Sequence, residues 1–147
     1  MIGRKPDSSG TSAAPFLAAL AIIVLAVIGI GVVTLFRGGE DSSRESVVRA
    51  AIAHNDALQR LDYAAFRATT CPEQQGTEAT VLDEQRASVA ARGARYVDDV
   101  LGISVDGDTA TATVVYHFKN SEDDKIETKS EFVNTDGTWR LCTPGPR

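Results

Sequence analysis

Few side chains in this sequence could transfer a proton, and one pair stands out because its members are adjacent. Asp98 and Asp99 point to opposite faces if they lie in a β-strand, so one of them could enter the interior of the fold. A carboxylate in an apolar pocket has a raised pKa and can move a proton. No motif surrounds the pair, so Asp98 and Asp99 are catalytic candidates by position alone.

Three further polar candidates have structural explanations. His54 lies near the apolar stripe of a predicted helix, which is more typical of a packed or surface histidine than of a base. His117 alternates with the polar face of its predicted strand, so we expect it to face solvent. Asp62 precedes "YAAFRATT" in the position of a helix N-cap.

The two cysteines, Cys71 and Cys142, are predicted at the end of a helix and in the last strand. Paired, they would tie the helices to the sheet and constrain the unfolded chain by about 4 kcal/mol. Unpaired, they would be two small buried apolar residues. We expect the disulfide if the domain is exported, because oxidising compartments preserve such bonds.

No metal or cofactor is expected. The cysteines and histidines stand at positions 54, 71, 117 and 142, without the close ligand pairs that zinc sites need. The sequence also has no glycine-rich phosphate loop and no nucleophile elbow.

An uncharged apolar run, residues 14–36, is long enough to span a bilayer at roughly 34 Å of helix. It exceeds the apolar core of about 7–15 residues that is usual in a cleaved signal peptide. We therefore expect a single-pass anchor in the cell membrane, with residues 1–13 as a cytoplasmic tail. The C-terminal domain is expected outside, because the tail is short and the cysteines suit an oxidising compartment, although the positive-inside count alone does not favour this orientation.

Negative charge is concentrated after this run. The chain carries a net charge of −5, and residues 1–37 carry +2, so residues 38–147 carry −7. Such a domain repels phosphate backbones. Nucleic acid is therefore not expected as a partner.

Helical patterns fill the first half of the domain. A polar link at 37–42 precedes the capping-box spacing Ser42-x-x-Glu45, which predicts a helix start there. The expected buried stripe of this helix is Val48, Ala51, Ile52 and Leu58. A short second helix follows Asp62, and a third runs from a Thr77 cap to Gly93. The third helix has a thin apolar face and is expected to lie on the surface.

From residue 96 the period changes to two, which predicts strands. Asp106-Gly107 and Asp136-Gly137 are hairpin signals, and "NSEDDK" at 120–125 is expected to be a charged loop. The expected fold is α+β, with three helices packed on a four-strand antiparallel sheet. The predicted strands are about 95–105, 109–119, 125–134 and 138–142.

"AIAHNDALQRLDYAAFRATTCPE", followed by a third helix and by hairpins ending in "GTWRLC", resembles the nuclear transport factor 2-like superfamily of cone-shaped α+β domains. More narrowly it is similar to membrane-anchored actinobacterial proteins of the lumazine-binding-like or unknown-function type. The resemblance covers residues 43–143 and leaves 144–147 as a tail. It implies a cone that can hold a ligand, with these aromatic residues as lining candidates: Tyr63, Phe66, Tyr116, Phe118, Phe132 and Trp139.

The resemblance does not choose a function, because the superfamily includes a ketosteroid isomerase, polyketide cyclases, dehydratases and non-enzymatic domains. The lack of a clustered catalytic set favours a non-enzymatic module that binds a protein partner or assembles at the cell envelope. A binder of small hydrophobic ligands and an isomerase- or dehydratase-like enzyme remain alternatives. A homodimer is also open, although the sheet face with Lys125, Glu127, Lys129 and Glu131 is charged and suits solvent.

Overall fold

A computed structural model of the protein describes the backbone of residues 14–147 and the side chains of 17–28 and 39–147. The chain divides into two compact units between Gly39 and Glu40. The second unit, Glu40–Arg147, holds the sheet and the shorter helices.

Helix α1 is continuous from Ala14 to Gln59, so the predicted helix start at Ser42, after a non-helical link at 37–42, is wrong. The Ser46 hydroxyl donates to the Ser42 carbonyl at 2.8 Å, and Glu45 pairs with Arg49 one turn later instead of capping a helix. Glycine in a helix costs only about 1 kcal/mol per residue, and pairs four residues apart offset part of that cost.

The predicted cytoplasmic tail, 1–13, lies outside the described residues, and so do many side chains of the predicted anchor at 14–36. Within the described part of the chain, no helix is both long and apolar enough to cross a bilayer. The anchor therefore stays a prediction.

Two short helices and a 3₁₀ turn follow α1. Helix α2 is Tyr63–Ala68, the 3₁₀ turn is Pro72–Gln74, and α3 is Glu78–Arg92. The predicted caps are confirmed: Asp62 accepts from the Ala65 N–H at 2.9 Å, and Thr77 accepts from the Thr80 N–H at 3.3 Å. Gly93 ends α3 at a φ of 80°.

The predicted α+β architecture with four antiparallel strands is confirmed. The strands pair in sequence order, and they are β1 Arg95–Asp106, β2 Thr109–Phe118, β3 Ser121–Thr135 and β4 Thr138–Leu141. Both Asp-Gly turns occur, with Asp136 at φ 52° and Gly137 at φ 79°.

The expected loop at 120–125 is instead a tight turn that leads directly into β3 at Ser121. Phe118 pairs with Ser121, but Tyr116 pairs with Ile126, so the extra charged residues form a bulge within the strand. The bulge shifts the pairing register and leaves the exposed residues 122–125 outside the pairing with β2.

The core lies between the inward face of β2 and one stripe of α1. The alternate β2 residues Ala110, Ala112, Val114, Tyr116 and Phe118 are buried. On α1 the buried stripe is Val47, Ala50, Ala51 and His54, whereas Ile52, which we expected on that stripe, is half exposed. The true stripe is therefore rotated by about one residue.

A disulfide between Cys71 and Cys142 joins the helical layer to the end of the sheet, as predicted. Beside it, the Cys71 N–H donates to the Leu141 carbonyl at 2.9 Å, and the Leu141 N–H donates to the Thr69 carbonyl at 2.9 Å. The end of β4 is thus fastened to the segment after α2 by covalent and hydrogen bonds.

Candidate functional site

A cavity of about 50 Å³ lies where α1, the α2–α3 segment, the start of β1 and the residues after β4 meet. This is room for a few water-sized groups. Its lining mixes apolar side chains with buried polar ones. The lining residues are His54, Leu58, Phe66, Thr70, Gln74, Val81, Glu84, Gln85, Arg95, Leu141, Thr143, Pro144, Gly145 and Arg147.

His54 is the central polar group on the helical side of the cavity and is only 4% exposed. Its Nδ1 lies 2.9 Å from the Thr70 hydroxyl, and that hydroxyl donates its own proton to the Phe66 carbonyl at 2.5 Å. The Thr70 oxygen can therefore only accept from His54, which places the histidine proton on Nδ1 and leaves a lone pair on Nε2.

Burial and, to a smaller extent, the neighbouring charge of Arg95 together lower the pKa of His54 to about 3. His54 is consequently neutral at physiological pH. In this state Nε2 is an acceptor for a hydrogen bond from a donor in the cavity.

Arg95, at the start of β1, is also only 4% exposed and lines the same cavity. Its Nε donates to Asn55 Oδ1 at 2.8 Å, and its Nη1 donates to the Pro146 carbonyl. Asn55 in turn donates to the Arg95 carbonyl at 3.0 Å. The guanidinium lies 5.0 Å from the centre of the Tyr116 ring.

No carboxylate of the described residues pairs with Arg95, and its buried Nη2 has no hydrogen-bond partner among them. Burial lowers the pKa of Arg95 because the charged form is desolvated. The starting value is so high that the guanidinium stays charged. The cavity wall therefore contains a buried, uncompensated positive charge.

The residues after β4 cover this part of the cavity. Arg147 forms an ion pair with Glu84, and Arg92 donates to the Arg147 carbonyl at 2.8 Å. A Cβ at Gly145 would lie 2.9 Å from Arg95 Nη1, so a larger residue there would have to displace the guanidinium. We call residues 143–147 the C-terminal segment.

A second polar cluster lies on the outer face of the sheet. Asp98 accepts from His117 Nδ1 at 2.7 Å and from Lys125 Nζ at 2.8 Å, and the Tyr96 ring stacks on His117 with centroids 5.0 Å apart. The hydrogen bond from Lys125 is the main cause that lowers the pKa of Asp98; desolvation opposes it, and the hydrogen bond from His117 adds to the lowering. This cluster is separate from the cavity.

The catalytic candidates Asp98 and Asp99 are both exposed, and neither lines the cavity. A register shift between Val97 and Asp99 breaks the alternation that would have turned one of them inward. Asp98 joins the outer cluster, and Asp99 accepts from the Val100 N–H at 2.8 Å. The expectation that one carboxylate enters the cavity is therefore wrong.

His117 also differs from its prediction, because its side chain is only 17% exposed and is held by Asp98 and Tyr96. Its neighbours on β1 and β3 cover it, and the alternation of β2 alone cannot reveal them.

Of the six aromatic lining candidates, Phe66 alone lines the cavity. Tyr116, Phe118, Phe132 and Trp139 are buried and fill the core. Tyr63 lies at the surface, where its hydroxyl donates to the Gly76 carbonyl at 2.7 Å. The large aromatic residues therefore fill most of the cone and leave the cavity at its end.

Sequence reasoning missed Arg95, Thr70 and Gln85 as cavity residues. For Arg95 a signal existed, because it is two residues before Val97 and so shares the inward side of β1. Thr70 and Gln85 had no comparable signal. Among the described residues, no group of three or more potential ligands is placed to hold a metal ion.

The fold is similar to that of a variant of Rv3472, a protein of unknown function from Mycobacterium tuberculosis, with a TM-score of 0.52, 13% identity, and coverage of 71% of this chain and 70% of that one. A candidate dehydratase of the nuclear transport factor 2-like family from Streptomyces avermitilis matches at 20% identity over 69% of this chain and 92% of that one, with a TM-score of 0.47. A candidate polyketide cyclase from Sinorhizobium meliloti matches at 20% identity over 63% and 91%, with a TM-score of 0.42.

At these identities the first likeness shows a shared fold, and none of the three carries an activity to this chain. No family model and no curated protein sequence matches the chain. The membrane-anchored, actinobacterial type expected from the sequence stays a prediction.

Proposed function

We propose that this protein is a membrane-held domain that binds a small molecule in the cavity under its C-terminal segment. The observation that carries the proposal is that two buried polar side chains, His54 and Arg95, line the same cavity. Buried polar groups without partners cost stability, so a site that keeps them gains when a ligand satisfies them.

Binding is favoured over proton transfer by the charge state of His54. A general base works best with a pKa near the operating pH, and the pKa of about 3 makes His54 a poor proton acceptor. A neutral imidazole with a free lone pair is, however, a good hydrogen-bond acceptor. This ranks the isomerase- or dehydratase-like alternative below ligand binding.

We place ligand binding ahead of the partner-binding role that the sequence favoured. The outer sheet face exposes Lys125, Glu127, Lys129 and Glu131 instead of a continuous apolar patch. An envelope protein partner and a homodimer stay predictions.

Ligand binding can be tested by NMR titration of the whole chain with four small probes: propanol, lactamide, propionate and lactate. At least one probe is expected to cause saturable shifts at the cavity-lining residues. Val81→Phe, which places a ring in the cavity wall, should abolish those shifts. Val89→Phe on the same helix is the matched control, because Val89 is exposed and does not line the cavity. Absence of saturable binding by all four probes would overturn the proposal.

The membrane placement is part of the proposal. We propose that residues 14–36 cross the cell membrane once, with the N-terminus cytoplasmic and the domain outside. The run is uncharged, and between positions 17 and 28 its large apolar side chains are exposed. The disulfide also suits an oxidising compartment.

Topology can be tested with two introduced cysteines and a membrane-impermeant thiol reagent. Ala87→Cys, at an exposed position of α3, should be labelled in intact cells. Ser8→Cys should be labelled only after lysis. The reverse pattern would place the domain in the cytoplasm.

A further inference from the structure

We propose that the molecule bound in the cavity carries a single carboxylate, which Arg95 recognises. This inference rests on the proposed ligand-binding function and adds the chemical class of the ligand.

Arg95 is bonded only to neutral acceptors. Nε uses the Asn55 side-chain oxygen, Nη1 uses the Pro146 carbonyl, and the buried Nη2 has no partner among the described residues. A guanidinium has five N–H donors, so its capacity is far from used. A buried charge of this kind is stabilised most by an anion that also accepts its hydrogen bonds.

The charge balance of the lining selects an anion with one negative charge. Glu84 is already paired with Arg147, and His54 is neutral, so Arg95 is the charged side chain of the lining that has no ion-pair partner among the described residues. A dianion would leave one negative charge desolvated. A carboxylate also matches the planar fork of the guanidinium.

The C-terminal segment provides the way in. The Pro146 carbonyl is a neutral acceptor on a charged donor, and Gly145 lets this backbone pack directly on Nη1. A ligand carboxylate makes a stronger, charge-assisted bond than a carbonyl does. It can therefore replace Pro146 on the guanidinium without any change in the sheet.

His54 adds a second requirement. Its Nε2 keeps a lone pair that can accept a hydrogen bond, so the ligand should present an O–H or N–H donor as well as the carboxylate. The rest of the lining is apolar at Leu58, Phe66 and Val81. A small hydroxy or amino carboxylic acid has all three properties.

The test compares lactate with lactamide, which lacks the charge, and with propionate, which lacks the hydroxyl. In the whole chain, lactate should bind at least about tenfold more tightly than lactamide, because charge-assisted hydrogen bonds are about twice as strong as neutral ones. Arg95→Met should bring this ratio close to one. Arg86→Met is the control for net charge, because Arg86 pairs with Asp83 on the surface of α3.

A direct signal covers the case in which Arg95→Met does not fold. The Arg95 Nε–H resonance of the unmodified chain should shift with lactate and not with lactamide. Equal binding of lactate and lactamide would overturn the carboxylate while leaving the proposed binding function intact. An unchanged ratio in folded Arg95→Met would overturn the role of Arg95. Failure of every probe, propanol included, would overturn the proposed function itself.

Discussion

His54 and His117 are held in the same way and in opposite surroundings. Each uses Nδ1 for its main contact, to the Thr70 hydroxyl at 2.9 Å in the cavity wall and to the Asp98 carboxylate at 2.7 Å on the outer sheet face. His54 is 4% exposed beside the positive Arg95, whereas His117 lies between a carboxylate and solvent. The first is kept neutral by its environment, and the second donates to a carboxylate that Lys125 also contacts.

The same contrast holds for the whole of each region. On the outer face Asp98 has both His117 and Lys125 as partners. Its negative charge is therefore stabilised by these two side chains and also by solvent. In the cavity Arg95 is compensated by neither a carboxylate of the described residues nor water-exposed surface. The unpaired guanidinium in the buried cavity is the reason for placing the proposed ligand site there.

The largest expected effect comes from removing the disulfide that closes the cavity region. The double variant Cys71→Ser/Cys142→Ser should lose about 4 kcal/mol of unfolding free energy, because the bond closes a loop of about 70 residues. Urea unfolding of the whole chain measures this loss. The NMR signals of His54 should change while those of His117 do not; equal changes at both would remove the contrast between the regions.

Acid should destabilise the protein through His54. Its pKa is about 3 when folded and 6.5 when unfolded, so between these values the unfolded chain binds the extra proton. Stability is then lost as pH falls, by up to about 1.4 kcal/mol per pH unit. Urea unfolding from pH 7 to pH 4 should show this slope in the original chain and in His117→Asn. It should be reduced in His54→Asn, and an unchanged slope there would contradict the assignment.

A smaller loss of stability is expected from removing the Thr70 hydroxyl, which holds the His54 proton on Nδ1. Thr70→Val leaves the buried Nδ1–H without an acceptor and should cost about 1–3 kcal/mol. Thr70→Ser keeps the hydroxyl and should retain most of the stability. Ring ¹⁵N spectra should show the Nδ1–H form in the original chain and in Thr70→Ser. The same form in Thr70→Val would show that Thr70 does not set the tautomer.

The smallest effect is expected on the outer face. Asp98→Asn should leave the unfolding midpoint at neutral pH nearly unchanged, because the cluster is partly solvated. It should nevertheless change the ring ¹⁵N signals of His117. Asp99→Asn is the matched control, because Asp99 bonds to its own backbone neighbour. A large loss of stability in Asp98→Asn alone would show that the outer cluster is structural.

Local signals predicted much of the fold. The strict alternation of β2 and the two Asp-Gly turns depend on neighbouring residues, so they could be read directly. The prediction of a non-helical link at 37–42 was wrong because two adjacent glycines do not end a helix when the residues on both sides are helical. The buried stripe of α1 was predicted about one residue away from its true position, because alanine occurs on both buried and exposed faces and so carries little signal.

The site was less predictable than the fold. The outward orientation of Asp98 depends on a bulge in the pairing of β1 with β2. The alternation within one strand cannot reveal that bulge. Arg95 is buried by α1 and by the C-terminal segment, which are about 40 and 51 residues away in sequence. Contacts over such distances become visible only in the folded chain.

The disulfide and hydrogen bonds between the Thr70–Cys71 segment and the end of β4 also bear on when the cavity forms. Thr70 fixes the His54 proton and directly precedes Cys71, while Cys142 directly precedes the segment that covers Arg95. One oxidation step thus secures both halves of the cavity wall. We expect a reduced chain to bind the proposed ligand poorly and to bind it well once its cysteines are oxidised; under the proposed export, ligand capture would then follow oxidation.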